Sequence, residues 1–293
     1  MRTNNLAVFI LTHRRPDRVL TYKTLKRQGY TGDIYLIVDD EDPTLSQYQA
    51  NYGDEVIVFS KSEAATYTDD IDLYGNKASV VYARNACWRI AENLGLEYFL
   101  QLDDDYTTFT NVFSISLVPV NANREQYVAD LDSLFGLIFN YLDTTSITCL
   151  AIAQSGDFIG GTKNGTYTRS VRTKRKAMNS FFCSVKRPFN FVGILNDDVN
   201  TYVTLSNRGY LFLTIMQVRL HQSDTQQRDG GLTDLYLESG TYVKSFYTVM
   251  MQPSSVHIYE MGVNHKRLHH WIDAKTTYPK IISEDYRKAS EIF

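Results

Sequence analysis

Apolar and polar positions along the chain alternate in blocks that read as strand and helix in turn. Leu6 to Leu11 is an apolar run of strand length that ends in the polar loop Thr12-His-Arg-Arg-Pro-Asp17. Arg18 to Gln28 reads as a helix carrying Val19, Leu20 and Leu25, with Pro16 near its start and Gly29 at its stop. Ile34 to Val38 is a second buried-strand run, closed by Asp39-Asp-Glu-Asp42. Ser46 to Tyr52 reads as helix and Glu55 to Phe59 as a third strand. This alternation predicts a parallel sheet with right-handed crossovers. Ligands of such sheets bind outside the carboxyl ends of the strands.

Further on, Ser62 to Asn76 reads as a polar loop. Ala78 to Asn93 reads as a helix with apolar positions Val81, Ala83, Ala86, Trp88, Ile90 and Ala91, and Gly95 stops it. Tyr98 to Leu102 is a strand that runs into Asp103-Asp104-Asp105. Phe113 to Val118 alternates like an antiparallel strand, and Glu125 to Tyr141 is amphipathic at helical spacing. Ile147 to Ala153 and Phe181 to Val185 read as strands. Between them, Gly156 to Lys176 is glycine-rich and then basic, the pattern of a long loop. Asn196 to Gly209 predicts a helix, Tyr210 to Leu220 a strand, and Gln222 to Leu232 a polar loop. Asp234 to Met250 predicts a long helix broken at Gly240, before a tail from Pro253 to Phe293. With no repeat, low-complexity tract or linker, the expectation is one α/β domain over residues 1–293.

Composition changes this picture little. At 293 residues, with 43% apolar and 22% charged positions, the chain can bury a core. A net charge of −3 argues against a protein that coats nucleic acid non-specifically, and leaves room for a local basic groove. Cys87, Cys149 and Cys183 lack zinc spacing and read as buried free thiols of a reducing cytoplasm. No signal peptide opens the chain and no apolar run reaches membrane-span length, so a soluble cytoplasmic protein is expected.

The candidate chemistry lies at strand tips and helix starts. Asp103 and Asp105 point the same way, because side chains in extended chain repeat every two residues. Two hard oxygen ligands there suit Mg²⁺ or Mn²⁺ carrying a diphosphate, whereas the bland reading is an acidic surface turn. Arg84, inside a mostly apolar helix, needs a partner. Asp197 and Asp198 open a helix, where the dipole stabilises carboxylates. Arg169, Arg172, Lys174, Arg175 and Lys176 put five positive charges in eight residues, suited to phosphates of nucleic acid or to a donor pyrophosphate.

Taken together, the Thr12-His-Arg-Arg-Pro16 loop, the acids after the second strand, the helix carrying Arg84-Asn85, the D-x-D strand and the Asn196-Asp-Asp helix resemble the GT-A class of glycosyltransferases over roughly residues 6 to 220. The closing Arg267-Leu-His-His-Trp271 and Tyr278-Pro-Lys-Ile-Ile282 are similar to phage-encoded relatives in the TET/JBP-associated glycosyltransferase group, which modifies hydroxymethylated bases in DNA. The resemblance implies a Rossmann-like, mostly parallel sheet flanked by helices, with antiparallel acceptor-side strands. It makes residues 1–110 the nucleotide-sugar half, 111–252 the acceptor half and 253–293 a C-terminal extension. It implies a UDP-sugar donor and a Mn²⁺ or Mg²⁺ ion on Asp103, Asp105 and a histidine, with His221 preferred to His257 and His265. Thr12 and Arg14 would bracket the nucleobase or lie in a surface loop, Asp39 and Asp40 would meet ribose or base or cap the following helix, and Asp104 would hold the donor sugar or the backbone. Arg84 would pair with Asp103 or contact the nucleotide. Asp198, preferred to Asp197, would be the general base. The basic loop would contact double-stranded DNA carrying hydroxymethylated bases, in a host cytoplasm for a phage protein. Three alternatives stay open: a glycan or protein acceptor; a nucleotidyltransferase, although Leu11 to Pro16 lacks the glycines of a phosphate loop; and a non-catalytic nucleic-acid-binding module, against which the intact Asp103 and Asp105 speak.

Overall fold

The computed structural model describes residues 5–71, 77, 79–114, 116, 119–120, 125–158, 171–172, 177–178, 180–223, 233–261, 266–281 and 283–284. β1 (Leu6–Leu11) is apolar along its length because both of its faces are covered. Ala7, Phe9 and Leu11 enter one core and Val8 and Ile10 the other. α1 (Leu20–Arg27) leads from it to β2 (Asp33–Asp39), and α2 (Leu45–Tyr52) leads on to β3 (Val56–Phe59). β2 pairs parallel with β1, and β3 with β2. The chain then passes through α3 (Lys61–Thr66) and α4 (Val81–Asn93) to β4 (Tyr98–Asp103), which pairs parallel on the other side of β1. Strand order therefore reverses between β1 and β4, the switch point whose carboxyl-end crevice takes ligands.

The remaining elements are β5 (Tyr106–Asn111), β6 (Gln126–Tyr127), α5 (Leu131–Asp143), β7 (Cys149–Gln154), β8 (Val171–Arg172), β9 (Ser180–Ser184), α6 (Asp197–Ser206) and β10 (Phe212–Gln222). They extend the sheet in the order β3-β2-β1-β4-β9-β7-β10-β5-β6, with β8 paired to β10. β9 runs antiparallel to both β4 and β7, and β5 antiparallel to β10. The expected parallel wing and the antiparallel strands beyond it are thus present. Leu25 of α1, Tyr48 of α2 and Phe135 of α5 pack on one face, and residues of α4 and α6 with Tyr247 on the other. After β10 come α7 (Thr233–Met251), a hairpin of β11 (Val256–Met261) and β12 (Arg267–Ile272), and α8 (Ala274–Thr277). No helix among the described residues is long and apolar enough to cross a membrane, and the three cysteines are buried and free.

Several expected elements shift. The strand expected at Phe113 to Val118 is instead β5, at Tyr106–Asn111. Among its described residues, Phe113 pairs only through an isolated bridge to Pro119. The helix expected from Glu125 starts at Leu131, because the Asp130 side chain accepts from Ser133 N at 2.9 Å and caps it there. The loop expected over Ser62 to Asn76 begins with α3, capped by Ser60. α7 runs unbroken through Gly240, since one glycine weakens a helix without ending it. Arg172 of the expected basic loop sits in β8, opposite Thr214. Arg169, Lys174, Arg175 and Lys176 lie outside the described residues.

Candidate active site at the carboxyl edge of the sheet

β4 ends at Asp103, and strand alternation puts that residue on the Phe99 and Gln101 side, which α4 covers. α4 buries Arg84 there to 2% exposure. Gln101 Nε2 donates to Arg84 O at 2.9 Å and fixes the helix against the strand. Arg84 Nη2 donates to Asp103 Oδ1 at 3.1 Å, and its Nε donates to Asp197 Oδ2 at 2.7 Å. The guanidinium lies 5.0 Å from the Phe181 ring centre and 5.5 Å from that of Phe191. Asp197 is the first residue of α6. It is set by Asn196, which takes a left-handed φ of 54° and donates through Nδ2 to Lys244 O and Thr248 Oγ1. One buried cation therefore joins an acid at the strand tip to an acid at a helix start. Arg84 was expected near Asp103 or the nucleotide; its bond to Asp197 is an addition.

Charge in this pocket is unbalanced. Burial pushes Asp103 up to about 7; Arg84 pulls it back, while Asp105, Asp197 and Asp104 push it further. Burial likewise raises Asp197 to about 6, opposed by Arg84 and reinforced by Asp198. Burial disfavours the Arg84 cation, yet Asp103, Asp197 and Asp198 outweigh it and hold it more firmly protonated. Burial, with Asp103 and Asp105 nearby, keeps the Tyr106 hydroxyl un-ionised. Asp197 is engaged by Arg84. Asp198, 8% exposed, has one oxygen, Oδ1, accepting from Val199 N at 2.7 Å.

The three consecutive acids diverge. The strand stops at Asp103 and residues 104–105 form a turn, so the expected two-residue alternation does not carry over to Asp105. Asp105 accepts from Gln222 Nε2 at 3.0 and 3.1 Å. Asp104 is buried and accepts from Thr12 Oγ1 at 2.8 Å and Arg15 Nη1 at 3.0 Å. With Tyr48 Oη 2.7 Å from Thr12 Oγ1, these groups staple the tip of β1 to the acidic turn. His221 engages other groups: its Nε2 is 2.9 Å from Thr110 Oγ1 and 3.5 Å from Glu125 Oε2. Among the described residues, Asp103, Asp105 and His221 do not draw together as a three-ligand cluster. His257 sits in β11, and His265 lies outside the described residues.

A second polar knot occupies the tips of β1 and β2. His13 Nδ1 is 2.7 Å from Asp39 Oδ2 and 3.3 Å from Asp42 Oδ2, and Lys61 Nζ is 3.0 Å from Asp39 Oδ1. Ligating atoms of His13, Asp39 and Asp42 all lie within 4.8 Å of one another, a group able to hold a metal ion. Burial tends to raise the Asp39 carboxyl, but bonds from His13 and Lys61 outweigh it and hold the group below its usual range. Asp40 accepts from Lys61 N at 2.9 Å, a capping role at the start of α3. Arg14 is exposed, with φ 56°, and its backbone N donates to Asp42 Oδ2 at 2.7 Å. His13, Arg15, Lys61 and Gln222 were not singled out in the sequence. His13 and Arg15 share the loop that carries Thr12 and Arg14. Lys61 sits just past β3 and Gln222 closes β10, and their place at strand ends was the available signal.

Residues 6–231 match the TET-Associated Glycosyltransferase family. No curated protein matches the chain in sequence. Among solved structures, the mannosyltransferase PcManGT from Pyrobaculum calidifontis, in complex with GDP-Man and Mn²⁺, is similar at 12% identity and a TM-score of 0.46, over 84% of this chain and 64% of that one. Glucosyl-3-phosphoglycerate synthase from Mycobacterium tuberculosis, with Mn²⁺, UDP-glucose and phosphoglyceric acid, is similar at 10% identity and 0.45, over 94% and 89%. TarS 1-349 of S. aureus in complex with UDP is similar at 11% and 0.44, over 75% and 61%. The chain thus spans less than two thirds of the mannosyltransferase and of the TarS fragment. These are loose likenesses of chain path.

Proposed function

The chain belongs to the TET-associated glycosyltransferase family, and on that premise we propose that it transfers a sugar from a nucleotide sugar, preferably UDP-linked, to the hydroxyl of a hydroxymethylated pyrimidine in double-stranded DNA. Membership in a glycosyltransferase family removes two readings left open by the sequence, the nucleotidyltransferase and the non-catalytic module. The observation that carries the proposal is the acid-rich crevice at the switch point, where Arg84 ties donor-side Asp103 to acceptor-side Asp197. Among the described residues, Arg84 pairs with Asp103 and Asp197 there and Arg15 with Asp104; burial is the main cause of the rise of Asp103 to about 7, and Asp105, Asp197 and Asp104 push it further. A divalent cation on Asp103 and Asp105 fits both the deficit and the hard oxygen donors. When bound, it offsets the charge of the departing diphosphate. The His13 knot already contains the Lys61 ammonium, so it suits the nucleoside better than the cation.

In this reading Thr12, Arg14, Asp39 and Asp40 frame the nucleoside at the tips of β1 and β2, and His13 adds a ring that is 33% exposed. Asp104 holds the β1 loop in place. Asp198 takes the proton from the acceptor hydroxyl as its oxygen forms the new glycosidic bond and the diphosphate leaves from the opposite side. Asp197, fastened to Arg84, orients the start of α6 beside it. Arg169, Arg172, Lys174, Arg175 and Lys176 supply phosphate contacts that position DNA without reading its sequence. The test is product analysis. After incubation with UDP-sugar, Mn²⁺ and DNA containing hydroxymethylcytosine, the DNA is digested and its nucleosides are weighed by mass spectrometry. A nucleoside heavier by one sugar residue supports the proposal; unmodified hydroxymethyl nucleoside in the presence of hydrolysed donor refutes the acceptor.

A further inference from the structure

The C-terminal hairpin carries a surface of rings and positive charge. β11 and β12 pair antiparallel, so their side chains sort onto two faces. One face, with Val256 buried and His270 at 8% exposure, packs toward α7, where Ser245 Oγ donates to Leu268 O at 2.9 Å. The cross-strand pairs His257–Trp271 and Tyr259–His269 form the other face. Trp271 is 50% and Tyr259 49% exposed, and the His257 ring stacks on Trp271 at 5.9 Å between centres and 26° between planes. Exposed Arg267 ends the row. Globular surfaces ordinarily scatter large rings singly. This ladder holds four in two adjacent pairs and no carboxylate. Glu260, the acid of the hairpin, falls on the opposite face and pairs with Lys266 at 3.3 Å.

We propose that this outward face is a stacking platform for unpaired bases of the nucleic-acid acceptor, with Trp271 and Tyr259 under the bases and Arg267 on the phosphate. The inference rests on the reading of DNA as acceptor. Every base offers a π-face to such rings, and the backbone charge complements the Arg267 guanidinium. The platform also lies on the acceptor side. Asn196, next to Asp197, donates to Lys244 O, and the following residue of α7, Ser245, holds β12. α7 and the inner face of the hairpin therefore lie between the ladder and the acid pair. A target base taken out of the stack leaves neighbours whose stacking must be replaced, and a ring ladder on the far side of α7 offers that stacking to the unpaired strand running away from the site.

The chain has two tryptophans, and Trp88 is 7% exposed within the core, so quenching of emission by an oligonucleotide reports Trp271. The full chain is titrated with a hydroxymethylcytosine-containing oligonucleotide, single-stranded and as a duplex, and thermal midpoints are followed throughout. The expected result is quenching in the wild type, loss of the quench with retained binding in Trp271→Phe, and roughly tenfold or more weaker binding in the Trp271→Ala, Tyr259→Ala double variant. Arg267→Ala should lower the salt slope by about 0.9. Donor hydrolysis without DNA should not change in any of them. If the wild type glycosylates the DNA and the double variant binds it equally tightly, the platform is wrong and the acceptor stands. If the oligonucleotide quenches Trp271 but receives no sugar, the platform stands and the acceptor reading falls. Quenching by a glycan but not by the oligonucleotide, or a dimer dissolved by Trp271→Ala, would overturn the platform.

Discussion

Arg84 holds Asp103 and Asp197 through two different nitrogens while 2% exposed, so replacing it alters geometry as well as charge. A lysine ammonium is a single point and cannot reproduce that fork. Arg84→Lys is expected to fold and to lose at least about tenfold in turnover, measured as kcat at saturating donor. Arg84→Ala leaves the buried Asp197 carboxylate without its partner, facing half-buried Asp103, and should cost on the order of 3–5 kcal/mol in urea denaturation; wild-type stability and activity in Arg84→Ala would contradict the bridging role. Asp103→Asn and Asp105→Asn should each abolish transfer with little change in melting temperature, because the acids sit at a strand tip outside the apolar core. Asp198→Asn should lower kcat by roughly 10²–10⁴-fold with donor affinity unchanged. If Asp197→Asn is the dead variant and Asp198→Asn stays active, the base is the wrong acid of the pair; activity in both points to a retaining mechanism.

Among the elements, the junction of α1 with β5 depends on a buried polar side chain. Gln28 Nε2 donates to Phe109 O at 2.8 Å and Val128 O at 2.7 Å, and its Oε1 accepts from Phe109 N at 2.8 Å and Thr108 Oγ1 at 3.2 Å. Gln28→Leu strips partners from several buried backbone groups, each costing about 1–3 kcal/mol. A loss of at least about 2 kcal/mol in denaturation is expected, and an unchanged midpoint would show that the contact is dispensable. β5 also shows what the pattern of residues hid. β1, β2 and β4 were legible because helices on both faces demand unbroken apolar runs, whereas Thr107, Thr108 and Thr110 gave β5 a polar look. α3 escaped notice because six residues are too few to show a stripe. The start of α5 was placed too early because Glu125 to Asp130 continue its period, while the Asp130 cap and the ion pair of Glu125 with Arg219, at 2.9 Å, decide otherwise.

At the scale of the whole molecule, the sheet order brings the tips of β1 and β2, the turn after β4 and the start of α6 to one edge. Each acid there could be picked out from its place at a strand tip or helix start. Their connection through Arg84 could not, because the bond to Asp197 spans 113 residues and is set by topology. The extended chain expected to carry Asp105 stops at Asp103, two residues before it, because a turn intervenes there. If the basic segment meets DNA, neutralising Arg172, Lys174, Arg175 and Lys176 together should weaken DNA binding and lower the salt slope by about 0.9 per lost phosphate contact, with donor hydrolysis intact; loss of UDP-sugar binding with DNA affinity retained would assign the segment to the donor. The most direct measurement is transfer of label from a panel of radiolabelled UDP- and GDP-sugars to hydroxymethylated DNA, plain DNA, glycan and protein acceptors, with Mn²⁺ or with EDTA. Label should enter only hydroxymethylated DNA, from a UDP-sugar, and vanish with EDTA and in Asp103→Asn. Label in a glycan or protein with hydroxymethylated DNA blank, or full transfer in EDTA, would contradict the proposed reaction.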